Sequence, residues 1–127
     1  MKICAAQTRP AKGDIEANIN SHIKLIMQAV NNGANIIIFP ELSITGYEPE
    51  LAAILATTAD DSRFNCFQQI SDTSNISIGI GMPLKDDGGI LIGMIIFQPH
   101  ALRQTYYKQH LHVDEFPYLL AGRATRL

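Results

Sequence analysis

The chain has 127 residues, 46% of them hydrophobic and 17% charged, with a formal net charge of -2 at neutral pH. That is enough apolar material for one packed domain and too little chain for two, and it excludes a disordered polymer. Ten Lys and Arg against twelve Asp and Glu leave no basic surface for nucleic acid, and two cysteines cannot build a disulfide framework.

The first apolar run is broken at Gln7 and Arg9, which argues against a secretory leader. The longest apolar runs, Ile36 to Phe39 and Met94 to Phe97, are too short to cross a bilayer. The expectation is a soluble cytoplasmic chain with no membrane partner.

Lys2 to Gln7 reads as a short buried strand, closed by a turn at Arg9-Pro10-Ala11-Lys12-Gly13. Asp14 is placed as an N-cap, and Ile19, Ile23, Ile26 and Val30 follow at helical spacing, with Glu16, Asn20, Lys24 and Gln28 off that stripe. Gly33 closes the helix as a C′ residue. Asn35 to Phe39 is a β-branched run ended by Pro40, the pattern of a strand covered on both faces. Strand, helix and strand make a βαβ unit, expected to be right-handed. A loop from Glu41 to Pro49 turns at Thr45-Gly46.

Short helices are predicted over Glu50 to Thr58 and Asp61 to Asp72, the second with Phe64, Phe67 and Ile70 inward. Ile76, Ile78 and Ile80 alternate with Ser77, Gly79 and Gly81, a strand with one face bare enough for close approach. Asp86-Asp87-Gly88-Gly89 is a hairpin turn into a strand from Ile90 to Gln98, and a fifth strand runs from Arg103 to Tyr107. Beyond Gln109 there is no clear period.

Three residues invite chemistry. Glu41 follows a strand directly, where open α/β sheets line their ligand crevices, and partial desolvation there suits a general base. Lys108 ends the fifth strand, a place from which an ammonium can stabilise a developing oxyanion. Glu115 is close enough in sequence to hold Lys108 through a charge-assisted hydrogen bond.

These residues lie inside longer strings. Phe39-Pro40-Glu41-Leu42-Ser43-Ile44-Thr45-Gly46-Tyr47 resembles the first motif of the nitrilase superfamily of carbon–nitrogen hydrolases. Tyr107-Lys108-Gln109-His110-Leu111, with Glu115 beyond it, resembles the second. Lys2-Ile3 with Gln7, Gly13-Asp14-Ile15-Glu16 with Asn18, Gly33-Ala34-Asn35 and Gly81-Met82-Pro83 extend the resemblance from Lys2 to about Gly122.

The resemblance implies an α/β fold, part of an αββα sandwich in which a mixed sheet carries helices on its outer face. It implies a Glu-Lys-Cys triad acting on the non-peptide C–N bond of a small amide or nitrile. Glu41 would be the base, Lys108 the oxyanion stabiliser and Glu115 the auxiliary carboxylate, with no metal or organic cofactor. The family's cysteine comes after the lysine motif, and no cysteine follows Lys108 in this sequence. Cys4 falls in the first strand and Cys66 on a helix, in the wrong order for the nucleophile.

Residues 1–127 are therefore expected to form a single, incomplete domain, an N-terminal portion of such a hydrolase. The alternative is a degenerate relative serving as an interaction or regulatory domain. With one sheet's worth of strands, Ile78, Ile80, Ile92, Met94 and Ile96 are candidates for exposed apolar surface, which favours a homo-oligomer or poor solubility. A metal site is the remaining rival, through His110 and His112 with His100 and Asp114 near them. No further Cys or His spacing supports it.

Overall fold

Five strands lie side by side in chain order: Ile3–Ala5 (β1), Ile36–Ile38 (β2), Ser77–Asp86 (β3), Gly89–Phe97 (β4) and Gln104–Tyr107 (β5). They form one mixed sheet in a computed structural model that describes residues 1–122. β1, β2 and β3 run parallel, β4 is antiparallel to β3, and β5 is antiparallel to β4. Two reversals restore the direction of β2, so β2 and β5 end at the same edge of the sheet.

Helix α1, Ile15–Asn31, connects β1 to β2 and starts where the Asp14 side chain accepts the Ala17 N–H. It stops before Gly33, whose φ of 76° is a left-handed conformation that glycine adopts without a Cβ penalty. Its buried side comprises Ile15, Asn18, Ile19, His22, Ile26 and Ala29. The next segment is less regular than the sequence suggests. A 3-10 turn over Pro49–Leu51 leads into the short helix α2, Ala52–Leu55. A second 3-10 turn, Ser62–Phe64, precedes α3, Asn65–Ser74.

The larger of two apolar cores lies between α1, α3 and one face of the sheet. Phe64 and Phe67 meet Ile37, Ile78, Ile80, Met82, Ile95 and Phe97 there, with Ile26 from α1. Each such side chain contributes roughly 1.5–3 kcal/mol by leaving water, so this layer dominates stability. Alternation sends Ile3, Ile36, Ile38, Met94, Ile96 and Tyr106 to the opposite face, where register neighbours lie next to one another.

That second face corrects three expectations. β1 is not buried: it is a three-residue edge strand, and Ile3 is 65% exposed. β2 is covered fully only at Ile37, with Ile36 and Ile38 half-buried, because the helices cover one side of it. Ile78 and Ile80 are not exposed, since both point under the helices, and Ile92 is buried against Leu42 and Leu119. Only Met94 and Ile96 of that group remain half-exposed. No helix among the described residues is long and apolar enough to cross a membrane.

The bare face of β3 is used as its glycines suggest. The chain leaving β2 turns across β3 at Gly81, where an added Cβ would stand 2.4 Å from Leu42 N and 2.5 Å from Pro40 O. The obstruction is backbone, which cannot swing aside as a side-chain tip does. Gly81→Ala is expected to cost about 3 kcal/mol in urea unfolding. Gly33→Ala, with positive φ but nothing within 4 Å, should cost only about 1 kcal/mol.

Candidate active site

Glu41 begins the loop that leaves β2, and a buried polar network fixes that loop. Asn18 on α1 donates to Ile44 O at 2.8 Å and exchanges hydrogen bonds with the Ala11 backbone. His22 Nδ1 lies 2.7 Å from Asn18 O, an acceptor only, so this nitrogen carries the proton. Nε2 then accepts from the Ser43 hydroxyl at 2.8 Å, and Ser43 Oγ in turn accepts the Gly81 N–H at 3.1 Å. The imidazole stacks on Phe39 at 4.0 Å. Helix, loop and sheet are thereby joined one residue-pair away from Glu41. Between Glu41 and Ser43, Leu42 is held at a φ of 53°, a strained conformation for a branched residue. Its buried side chain, packed with Ile92 and Leu119, holds it there.

Lys108 follows β5, and its N–H donates to Ile92 O. The chain then makes a loop that returns to the sheet, with Leu120 N–H donating to Ile90 O and Gly122 N–H to Lys108 O. Glu115 sits in this loop at 0% exposure. Its Oε1 accepts the His112 N–H at 2.9 Å, and its Oε2 accepts the Tyr47 hydroxyl.

The two strand ends meet at the lysine. Lys108 Nζ is 3.1 Å from Glu41 Oε1 and 3.1 Å from Glu115 Oε1. Burial by itself would lower the ammonium's pKa, but hydrogen bonds to both carboxylates outweigh it and the pKa is raised. Burial likewise works against ionisation of Glu115, and is outweighed by the bonds from Tyr47, the His112 N–H and Lys108, leaving its pKa lowered. Lys108 is thus a fixed cation and not a base. Glu115 has its oxygens occupied. Glu41, with its side chain 38% exposed, is the carboxylate open to a ligand.

Beside this cluster is a cleft of about 280 Å³, lined by Glu41, Ile92, Gly93, Met94, Tyr106, Tyr107 and Lys108. An ammonium has three donors: with one directed at Glu41 and one shared between the two Glu115 oxygens, at 3.1 and 3.3 Å, one is left for an oxygen in the cleft. All three residues singled out in the sequence converge here. Tyr47 and Ser43 carried no signal of their own beyond membership of the first motif string, and His22 and the His112 N–H lie outside the strings altogether.

The cysteines lie elsewhere. Cys66 is on α3 against the helix-side core, its thiol donating to Arg63 O, and burial pushes its pKa up, away from the reactive thiolate. Cys4 is in β1, at the far end of the strand order from β5. His110 and His112 are exposed, and no group of three His, Cys, Asp or Glu among the described residues is arranged to hold a metal.

The sequence matches the carbon–nitrogen hydrolase family over residues 2–126. It is 27% identical over 86 residues to the glutamine-dependent NAD(+) synthetase of Thermotoga maritima, a match covering 68% of this chain and 15% of that one. The fold resembles XC1258, a CN-hydrolase superfamily protein from Xanthomonas campestris, with a TM-score of 0.85 at 20% identity, covering 96% of this chain and 46% of that one. It also resembles a mutant amidase from Nesterenkonia sp. AN1 in complex with butyramide, with a TM-score of 0.83 at 20% identity, covering 98% and 49%. The chain spans about half the length of these solved structures and a far smaller share of the synthetase.

Burial lowers the His22 pKa from 6.5 to about 4, the bond to Asn18 O opposing it. Between those values the unfolded chain binds the extra proton, so stability falls as pH drops through this window and is independent of His22 above it. The loss expected by pH 4 is on the order of 3 kcal/mol. In urea unfolding followed from pH 7 to 4, His22→Gln should be less stable at pH 7 but show a slope shallower by about one proton.

Proposed function

The chain belongs to the carbon–nitrogen hydrolase family, and from that membership we propose that it carries the base and the oxyanion-stabilising cation of an amidase-type site. The observation that supports this reading is a single ammonium held 3.1 Å from each of two carboxylates, one open and one buried, at the mouth of an apolar cleft. Glu41 is the base that takes a proton from a nucleophile and returns it to the departing amine. Lys108 donates to the oxygen of the tetrahedral intermediate, and Glu115 keeps Lys108 charged and aimed.

The scheme needs a thiol. In a mutant of the Nesterenkonia amidase, which has a similar fold, the acetamide moiety of fluoroacetamide adds covalently at the active site cysteine. Here the sequence has only Cys4 and Cys66, and neither lines the cleft. Attack on the amide carbon by sulfur, expulsion of ammonia or an amine, and hydrolysis of the resulting thioester therefore require a cysteine supplied from outside these residues.

A short primary amide such as butyramide should shift the methyl resonance of Met94 and the ring resonances of Tyr106 in this chain, and Glu41→Gln should weaken that response. Ammonia release by this chain should be undetectable. Absence of any shift at the cleft, or turnover that survives Glu41→Gln, would overturn the assignment.

A second reading concerns partners and rests on the open sheet face. Ile36, Ile38, Met94 and Ile96 are half-buried, and Ile3 and Tyr106 exposed, on one continuous surface. Apolar surface of this kind drives association. We propose that a second copy of the chain covers it. Light scattering should report a dimer or larger species, with Met94→Lys shifting it toward monomer. A stable wild-type monomer that binds no hydrophobic dye would refute this.

A further inference from the structure

We propose that Tyr47 is a positioning residue of this site: its hydroxyl latches the loop that carries Glu41 to the buried carboxylate of Glu115, and thereby fixes Lys108. The inference rests on the reading of Lys108 and Glu115 as a working pair.

Tyr47 and Glu41 belong to one loop, after β2, and Glu115 to another, after β5. Lys108 bridges the same loops, but as a flexible side chain that must also serve a ligand. Among the described residues, the Tyr47–Glu115 bond is the one side-chain hydrogen bond between them that leaves the ammonium free of that task. It also completes the coordination of Glu115, whose Oε1 takes the His112 N–H and Lys108 while Oε2 takes Tyr47 and, at 3.3 Å, Lys108 again. A carboxylate at 0% exposure depends on such donors to stay ionised.

A phenol suits the position because it donates without adding charge. A Lys or Arg there would compete with Lys108 for Glu115 and loosen the pair on which the site depends. The charged groups around the hydroxyl are Glu115, Asp114 and Glu41, with Lys108 behind Glu115. The hydrogen bond to Glu115, burial and these acidic neighbours all hold the phenol protonated, well above its usual range. Tyr47 itself is 44% exposed, so its ring lies between Glu115 and water instead of filling the core.

The experiment is a carboxyl and lysine-ammonium NMR titration of the chain, comparing the wild type with Tyr47→Phe and Glu115→Gln. Tyr47→Phe keeps the ring and removes only the donor, and should raise the Glu115 midpoint by roughly one unit. Glu115→Gln should bring the Tyr47 phenol down toward the usual range of a free phenol, a reciprocal readout that does not depend on the first variant. A merely structural tyrosine would change stability in Tyr47→Phe and leave the Glu115 midpoint where it was. An unmoved midpoint, or a Tyr47 phenol that titrates identically in Glu115→Gln, overturns the proposal. A wild-type Lys108 that titrates as a free lysine would instead overturn the pairing behind the proposed function.

Discussion

The backbone from Pro40 to Ser43 lies so close to β3 that a Cβ on Gly81 would be 2.4 Å from Leu42 N, and this contact decides where Glu41 goes. β2 and β5 end at the same sheet edge but with two strands between them, roughly 14 Å at ordinary strand spacing. A carboxylate standing directly above β2 would not reach an ammonium above β5. By crossing β3 against a bare glycine, the loop carries Glu41 over the sheet until it is 3.1 Å from Lys108. The Ser43 hydroxyl, accepting the Gly81 N–H and bonded to His22, pins the crossing. Leu42, strained at positive φ but buried, turns it.

Where the loops meet, two carboxylates share one ammonium, and their environments differ. Glu115 is sealed, saturated with donors and held ionised, while Glu41 keeps a face toward the cleft. In the function proposed for this site, the asymmetry separates positioning from proton transfer. A base must be reached by the group it deprotonates, and a group that holds a cation in place is better left unreachable. Lys108, with its pKa raised, remains a hydrogen-bond donor throughout the neutral range.

The sheet is similarly two-sided. One face packs under α1 and α3 with residues such as Ile78, Ile80, Phe67 and Phe97 at 0% exposure. The other is covered at its carboxyl end by Leu42 and Leu119 and stays half-open from Met94 back to Ile3. The cluster of Glu41, Lys108 and Glu115 lies at the boundary between the covered and open parts. Solved structures of the same fold are about twice the length of this chain.

Local patterns were sufficient for the elements whose determinants are local. The helical stripe of Ile19, Ile23, Ile26 and Val30, the Asp14 cap, Gly33 at positive φ and the two-residue turn between Asp86 and Gly89 are all present where spacing placed them. The strings around Glu41 and Lys108 were enough to name both residues and Glu115, because each string occupies one stretch of chain. What covers a strand is not local. Ile36, Ile37 and Ile38 are chemically identical in sequence, and only the placement of helices on one side buries Ile37 and leaves its neighbours half-open. The Tyr47–Glu115 and His22–Ser43 bonds join residues far apart in sequence, and no periodicity encodes such pairs. Sequence alone thus specified which side chains bear the charges. Tertiary structure determined that the charges meet, because a distance between two loops is fixed by how the sheet beneath them is ordered.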